Sequence, residues 1–214
     1  REIILEKFHQ AAHSISDILT PLCQSHGFRW LGFDFSPAPF PGEWCSLGKA
    51  IERVGGHIGH HGALAAAGWI ADLLDSGEWL RTGFNGLMLP VLEDSLLAQR
   101  TMDGLLSSKD LLLFSAVCGT GLDTVPLPGD AGSGQIAALL ADLGTLSLRL
   151  NKPLTARLMP IPGTAAGDRT RFDFDYFANG HVMPLDGDLW DVMLERAAEI
   201  PIAPSQYHRK TPIR

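Results

Sequence analysis

The residue in this sequence with the most distinctive chemical setting is Cys118. It ends the apolar run "DLLLFSAVC" and is followed directly by the glycine-rich turn "GTGLDTVPLPGD", which contains Asp123 and Asp130. A thiol becomes a nucleophile or a radical carrier only when its surroundings favour that chemistry, and a cysteine at the end of a strand is otherwise a small buried apolar residue. Both interpretations of Cys118 remain open from the sequence.

Acidic residues follow other apolar runs. Glu93 and Asp94 come directly after "LMLPV" and precede "SLLAQR". Asp94 is placed to cap the helix that begins there. That role does not account for Glu93, which we interpret as an acid/base or a cation ligand. Glu93, Cys118 and Asp123 are therefore the candidate catalytic residues.

Five further polar residues are candidate ligand-binding residues, because ligands gather at the carboxyl ends of parallel strands. They are Asp34, Ser36, Asp130, Arg157 and Asp168. The loop "PGDAGSGQ" precedes a helix and permits two interpretations. It either binds an anion through helix amides or is a capping turn.

Histidines form a third candidate site. His57, His60 and His61 lie within the loop "GGHIGHHG" and are candidate ligands of a divalent metal ion. No HExxH spacing accompanies them, so an exposed loop without a metal is the alternative. No particular cofactor is predicted.

Apolar runs alternating with helical patterns predict an α/β fold with mostly parallel pairing. We expect about five strands, with covering helices between them, near residues 29–35, 87–92, 111–118, 154–160 and 181–185. The predicted organisation is one domain over residues 1–200, followed by a proline-containing tail over residues 201–214.

Composition excludes several classes of function. The net charge of −7 and the scattered basic residues argue against nucleic-acid binding. The longest apolar run, around residues 136–150, is interrupted by Asp142 and Arg149, so no membrane span is predicted. Three widely spaced cysteines without a CxxC pair indicate a reducing, cytoplasmic setting.

Five segments, taken in order, resemble the family called domain of unknown function 711. They are "GFDFSPAPFP", "GLMLPVLED", "AVCGTGLDTVPLPGD", "RLMPIPGTAAGD" and "HVMPLDG". The resemblance covers residues 27–186. It implies a fold similar to that of pyruvate formate-lyase and ribonucleotide reductase, an α/β barrel of ten strands built from two parallel halves. Members of the family are about twice as long as this chain, so the resemblance implies that the chain is the second half.

The resemblance raises the possibility of radical chemistry at Cys118, because glycyl-radical enzymes of this fold carry a radical on a loop cysteine. Such enzymes also need a segment of the type RVxGY, whereas the corresponding part here reads "DYFANGHVMP". No CxxxCxxC cluster is present either. We therefore predict that the chain is not a glycyl-radical enzyme.

Two functions follow as alternatives. One is a cytoplasmic enzyme that acts on a small polar metabolite at the carboxyl-end rim. The other is a ligand-binding or assembly subunit without catalysis. A perturbed acid/base pair in one pocket favours the enzyme, and carboxylates paired with arginines favour the subunit. In either case we expect a partner, another half-barrel chain or a second copy, because a half-barrel leaves strand edges unpaired. The start at Arg1 rather than Met fits a piece of a longer protein.

Overall fold

The computed structural model describes residues 1–187 and 201–205. Its elements form a mixed α/β arrangement in which helices surround a short parallel sheet. The helices are α1 (Glu2–Ser25), α2 (Leu47–Val54), α3 (Ala63–Asp75), α4 (Ser95–Met102), α5 (Ser108–Ser115) and α6 (Ser133–Leu150). The strands are β1 (Gly121–Pro128) and β2 (Thr155–Ile161), and single 3₁₀ turns span Glu43–Cys45 and Val91–Glu93.

The two strands pair in parallel, and α6 forms the crossover connection between them that a parallel pair requires. Gly121 pairs with Thr155 at one end, and Pro128 pairs with Ile161 at the other. An irregularity lies between Leu122 and Val125, where Thr124 has a φ of 42°. All of β1 is buried, whereas β2 is mainly exposed.

The predicted strand over residues 111–118 is wrong, and Cys118 therefore does not end a strand. Ser107 begins α5 with a reciprocal capping box: its side chain accepts from the Asp110 amide, and the Asp110 carboxylate accepts from the Ser107 amide. That cap starts a helix whose buried side comprises Leu111, Phe114 and Ser115. The strand begins only at Gly121, inside the segment that the sequence analysis interpreted as a turn.

The prediction for residues 154–160 is confirmed by β2. The other three predicted strands are extended segments with few ladder bonds. Phe33 makes an isolated parallel bridge with Arg81, and His181 makes an isolated antiparallel bridge with Arg169. Residues 87–92 lie beside β1, where Leu87 accepts a hydrogen bond from the Gly119 amide at 2.7 Å, but they end in a 3₁₀ turn rather than in a ladder.

The main core packs helices α2 to α6 around β1. Its fully buried members include Ile51, Leu97, Leu111, Leu122 and Leu127. A second, smaller cluster joins α1 to the segments around Phe33 and Trp79, and Ala12 is its buried residue on α1. No helix in the described part of the chain combines the length and the hydropathy needed to cross a membrane.

Candidate functional site

Glu93 and Asp123 meet at one guanidinium. The Arg157 side chain contacts the Glu93 carboxylate at 2.8 Å and the Asp123 carboxylate at 2.5 Å. Asp123 is buried in β1, and Arg157 projects from the neighbouring strand β2, so the pair ties the two strands to the turn that contains Glu93. The hydrogen bond with Asp123 is the main cause that raises the pKa of Arg157. Both candidate catalytic carboxylates thus have a positively charged partner.

Asp34 holds two loops together. Its carboxylate accepts hydrogen bonds from the amides of Ser36, Phe84 and Asn85, each at 3.0 Å, and from the Ser36 hydroxyl. Ser36 in turn accepts from the Gly86 amide at 3.2 Å. Burial acts to raise the pKa of Asp34, but these hydrogen bonds together outweigh it and leave the pKa lowered. Asp34 and Ser36, predicted as ligand-binding residues, are engaged with each other and with the loop at 84–86.

Asp94 caps α4, as the sequence predicted, and also fixes the start of α2. It is fully buried and accepts from the amides of Leu96 and Leu97 at the start of α4. It further accepts from the Ser46 hydroxyl at 2.7 Å and from the Gly48 amide at 3.0 Å. One carboxylate therefore joins two helix N-termini.

Cys118 is buried, with 1% of its surface exposed, and belongs to the main core. Its sulfur accepts a hydrogen bond from the Gly121 amide at 3.3 Å. Because it precedes β1, it lies at the amino end of the strand and not at the carboxyl end, which corrects its predicted place on the rim. Asp123 lies within β1 and not beyond its carboxyl end, so its predicted place on the rim is also corrected.

The histidine loop lies against helix α3. The rings of His57 and His60 stack with centroids 4.5 Å apart, and His57 Nδ1 is 3.7 Å from the Glu52 carboxylate. His60 and His61 line an open cavity of about 650 Å³ at the start of α3. Within residues 1–187 and 201–205, no group of three or more histidine, cysteine or carboxylate side chains is arranged to hold a metal ion. The metal site stays a prediction.

The carboxyl end of β2 opens into a cavity of about 400 Å³, which we call the carboxyl-end cavity. Ile161, the last residue of β2, lines it together with Thr164, Asp168, Arg169 and Arg171. Asp168, a predicted ligand-binding residue, is therefore at this site, and its carboxylate accepts from the Ala165 amide at 2.8 Å. Asp130 follows the neighbouring strand β1 and is exposed.

Arg169 and Arg171 were missed as candidates. The segment "GDRTR" places two arginines at alternate positions just beyond a strand, and that spacing was the available signal. Thr170 between them is buried, so the arginines on either side both face outward. The ion pairs formed within the described residues include neither of these two arginines.

A family model described as uncharacterised ACR (DUF711) matches residues 2–179. The chain belongs to the DUF711 family. The resemblance that the sequence motifs indicated is thereby confirmed at the level of the family.

Relatives in this family carry the name UPF0210 protein. One from Pyrobaculum arsenaticum is 36% identical over 147 residues, covering 66% of this chain and 33% of the relative. One from Lactobacillus delbrueckii subsp. bulgaricus is 28% identical over 210 residues, covering 94% of this chain and 46% of the relative. The chain thus spans less than half of the length of these curated relatives.

Proposed function

We propose that this part of a DUF711 protein binds a small, negatively charged polar metabolite in the carboxyl-end cavity. The observation that carries the proposal is the pair of arginines, Arg169 and Arg171, lining a concavity directly beyond a parallel strand. The carboxyl ends of parallel strands are the usual location of ligands in such sheets. A volume of about 400 Å³ lies in the range of small-molecule pockets.

The charges of the cavity favour an acid. Two arginines and one carboxylate residue, Asp168, line the cavity, which leaves an excess of positive charge. Guanidinium groups bind carboxylate and phosphate oxygens through paired hydrogen bonds. The oxygens of Asp168 accept hydrogen bonds, so they suit a ligand that also carries a hydroxyl or amino group. A phosphorylated or carboxylated small metabolite with such a group matches this set.

The contacts of the other acidic residues support the ligand-binding alternative over catalysis at the predicted rim. Glu93 and Asp123 pair with Arg157, and Asp34 accepts hydrogen bonds from loop amides. Carboxylate oxygens that already contact a guanidinium or backbone amides are less available to a substrate. In this proposal Glu93, Asp123 and Arg157 fix the sheet, and the ligand contacts lie beyond it.

The proposal includes a cytoplasmic location and a strand partner. The three cysteines are all free, which fits a reducing compartment. The outer edge of β2 carries no neighbouring strand within the described residues, and Pro160 within β2 is typical of an edge strand. We therefore retain the half-barrel of about five strands as a proposal, with β1 in place of the strand predicted over residues 111–118. In this half-barrel, the edge of β2 pairs with a strand from another chain. That strand belongs either to the part of the longer family proteins that this chain does not span, or to a second copy of this chain.

A thermal-shift series tests the binding proposal. The purified chain is heated with phosphate, with glycerol phosphate, with malate and with the uncharged analogues glycerol and malic diamide. We expect one or more of the acids to raise the melting temperature at millimolar concentration, because a ligand that binds only the folded state stabilises it. The uncharged analogues are expected to leave it unchanged. Equal shifts with charged and uncharged compounds would contradict recognition by the arginines.

A further inference from the structure

We propose that Lys152 is a reactive amine that forms an imine with a small carbonyl compound in a second cavity, which it shares with Cys118. This cavity of about 210 Å³ lies at the amino ends of β1 and β2, away from the carboxyl-end cavity. It is therefore a separate site, and it does not depend on the binding function proposed above.

The backbone before β2 fixes the position of Lys152. Helix α6 ends at Leu150 and is capped by Asn151, which adopts the left-handed conformation with a φ of 52°. The Lys152 amide then donates to the Ser147 carbonyl at 3.0 Å, and the Ser147 hydroxyl donates to the Lys152 carbonyl at 2.7 Å. A lysine held at both backbone groups directs its side chain reproducibly, which a reactive group requires.

The side chain leads into the cavity beside α5. Lys152 Nζ donates to the Ser115 carbonyl at 3.1 Å, at the last residue of that helix. Lys152, Cys118 and Asp75 line the cavity together with the turn at 83–86. That turn cannot move away easily, because Gly86 packs directly against Gly119 and the Asp34 carboxylate binds the amides at 84 and 85. The cavity is thus formed by well-fixed backbone.

Burial lowers the pKa of Lys152, although the nearby Cys118 and Asp75 act to raise it. The helix dipole favours a cation at the end of α5, where Nζ is bound, but the net shift of the Lys152 pKa is downward. A desolvated lysine has a larger fraction of neutral amine, and the neutral amine is the nucleophile. Lys152 lines the cavity, which provides room for a small substrate.

The chemistry characteristic of a neutral lysine is addition to a carbonyl group. The nitrogen lone pair forms a bond to the carbonyl carbon, and the carbonyl oxygen takes up a proton while the nitrogen releases one to solvent. The hydroxyl group of this adduct then takes up a proton from solvent and leaves as water, while the nitrogen lone pair completes the C=N double bond. Release of the remaining N–H proton to solvent gives the neutral imine. No oxidant or reductant is needed. The small volume restricts the partner to an aldehyde or ketone of a few heavy atoms.

Reductive labelling with acetaldehyde and sodium cyanoborohydride tests this inference, with Lys109 as the matched control. Lys109 is fully exposed, and its hydrogen bond to Asp186 raises its pKa. At neutral pH and limiting aldehyde, peptide mass spectrometry should find Lys152 ethylated faster than Lys109, because the lowered pKa of Lys152 gives it the larger fraction of neutral amine. The labelling rate of Lys152 should also reach half of its maximum at a lower pH than the labelling rate of Lys109 does.

The same labelling in concentrated urea separates the fold from the local sequence. Unfolding removes the cavity, the hydrogen bond of Lys152 to Ser115 and that of Lys109 to Asp186. The ratio of the Lys152 labelling rate to the Lys109 labelling rate should therefore fall to about one. A Lys152 that is labelled no faster than Lys109 in the folded chain would overturn the inference. An excess that persists unchanged in urea would also overturn it, because it would come from the neighbouring residues and not from the site.

Discussion

Single carboxylates hold several loops and helix ends of this chain in place. The case that the sequence predicted is Asp94 at the start of α4, where a polar residue precedes an apolar helix. Its bonds to Ser46 and Gly48 were not predictable, since these residues are more than forty positions away and only the fold brings them near. Local capping is readable from the sequence because it involves neighbouring residues, whereas a contact between two helix ends is not.

Replacing Asp94 by alanine should destabilise the fold strongly. The change leaves buried amide and hydroxyl donors without an acceptor, and we expect a loss of about 3 kcal/mol in the free energy of unfolding. Urea denaturation followed by circular dichroism measures it. Asp130→Ala, at an exposed position, is the control and should change stability by less than about 0.5 kcal/mol. Similar values for the two variants would show that Asp94 is not a structural acceptor.

The pair formed by Glu52 and Arg100 should make stability depend on pH. Burial acts to raise the pKa of Glu52, but two hydrogen bonds from Arg100, each at 2.9 Å, contribute with other contacts to a net lowering. A carboxyl group whose pKa is lowered by folding contributes stability above its unfolded pKa. That stability is lost as the pH falls through its folded pKa.

We therefore expect Glu52→Gln to be less stable than the wild type by about 1 to 2 kcal/mol at pH 7. The difference should shrink as the pH falls below the ordinary carboxyl range. Glu43→Gln is the control, because Glu43 is highly exposed and its contact with Lys49 is long, at 3.7 Å. Urea titrations at several pH values measure both. A difference for Glu52→Gln that stays constant down to pH 2 would refute the pairing.

Some of the functional residues were predictable from the sequence and others were not. Asp168 was found at the carboxyl-end cavity because the end of β2 was predicted correctly. Arg169 and Arg171 received no attention as candidates, since arginines on a surface loop have no motif of their own. Lys152 was missed for a different reason. Its setting depends on the burial that α5 and the turn at 83–86 create, and neither is visible in the spacing of residues near Lys152.

Among the secondary-structure elements, α5 and β1 show where patterns of apolar residues mislead. The run "DLLLFSAVC" is as apolar as a buried strand, and a short run of this kind does not distinguish a strand from a helix. The capping box at Ser107 and Asp110 was the deciding signal. β1 was not predicted because its sequence, "GLDTVPLP", contains a glycine, an aspartate and two prolines, which are uncommon in strands. The helix predicted after "PGDAGSGQ" is confirmed by α6.

Two glycine replacements test the packing of these elements. Gly144 lies in the middle of α6 with open space where a Cβ would be, so Gly144→Ala should stabilise the chain by about 0.5 to 1 kcal/mol. A Cβ on Gly86 would lie 2.4 Å from the Gly119 backbone, so Gly86→Ala should destabilise it by about 2 kcal/mol or more. Thermal unfolding compares the two. A neutral Gly86→Ala would mean that the turn at 83–86 is not held against Gly119.

For the molecule as a whole, the exposed edge of β2 leads to a prediction about assembly. An unpaired edge strand binds another strand unless it is covered or charged. Sedimentation equilibrium of the purified chain at micromolar concentration should therefore give a mass above that of one chain, 23.1 kDa. Ala156→Lys places a charge on the exposed strand and should shift the mass toward the single chain. A wild-type mass that is already that of one chain, with no copurifying polypeptide, would contradict pairing at this edge.

The domain prediction extends beyond what the structure covers. Residues 188–200 and 206–214 lie outside the described residues, so the boundary at residue 200 and most of the predicted tail stay predictions. Residues 201–205 are described, and there Ala203 accepts a hydrogen bond from the Arg149 side chain at 2.8 Å. The beginning of the predicted tail is thus in contact with the end of α6.

Recognition of an acid by Arg169 and Arg171 is the central claim, and isothermal titration calorimetry tests it most directly. Phosphate and malate are titrated into the wild type and into Arg169→Gln, Arg171→Gln and the control Arg53→Gln, which changes an exposed arginine on α2. We predict saturable binding of at least one acid to the wild type and to the control. We predict that each cavity variant binds it at least about tenfold more weakly, since a charged hydrogen bond contributes about 1.5 to 3 kcal/mol. Absence of binding to the wild type, or equal weakening in the control, would contradict the claim.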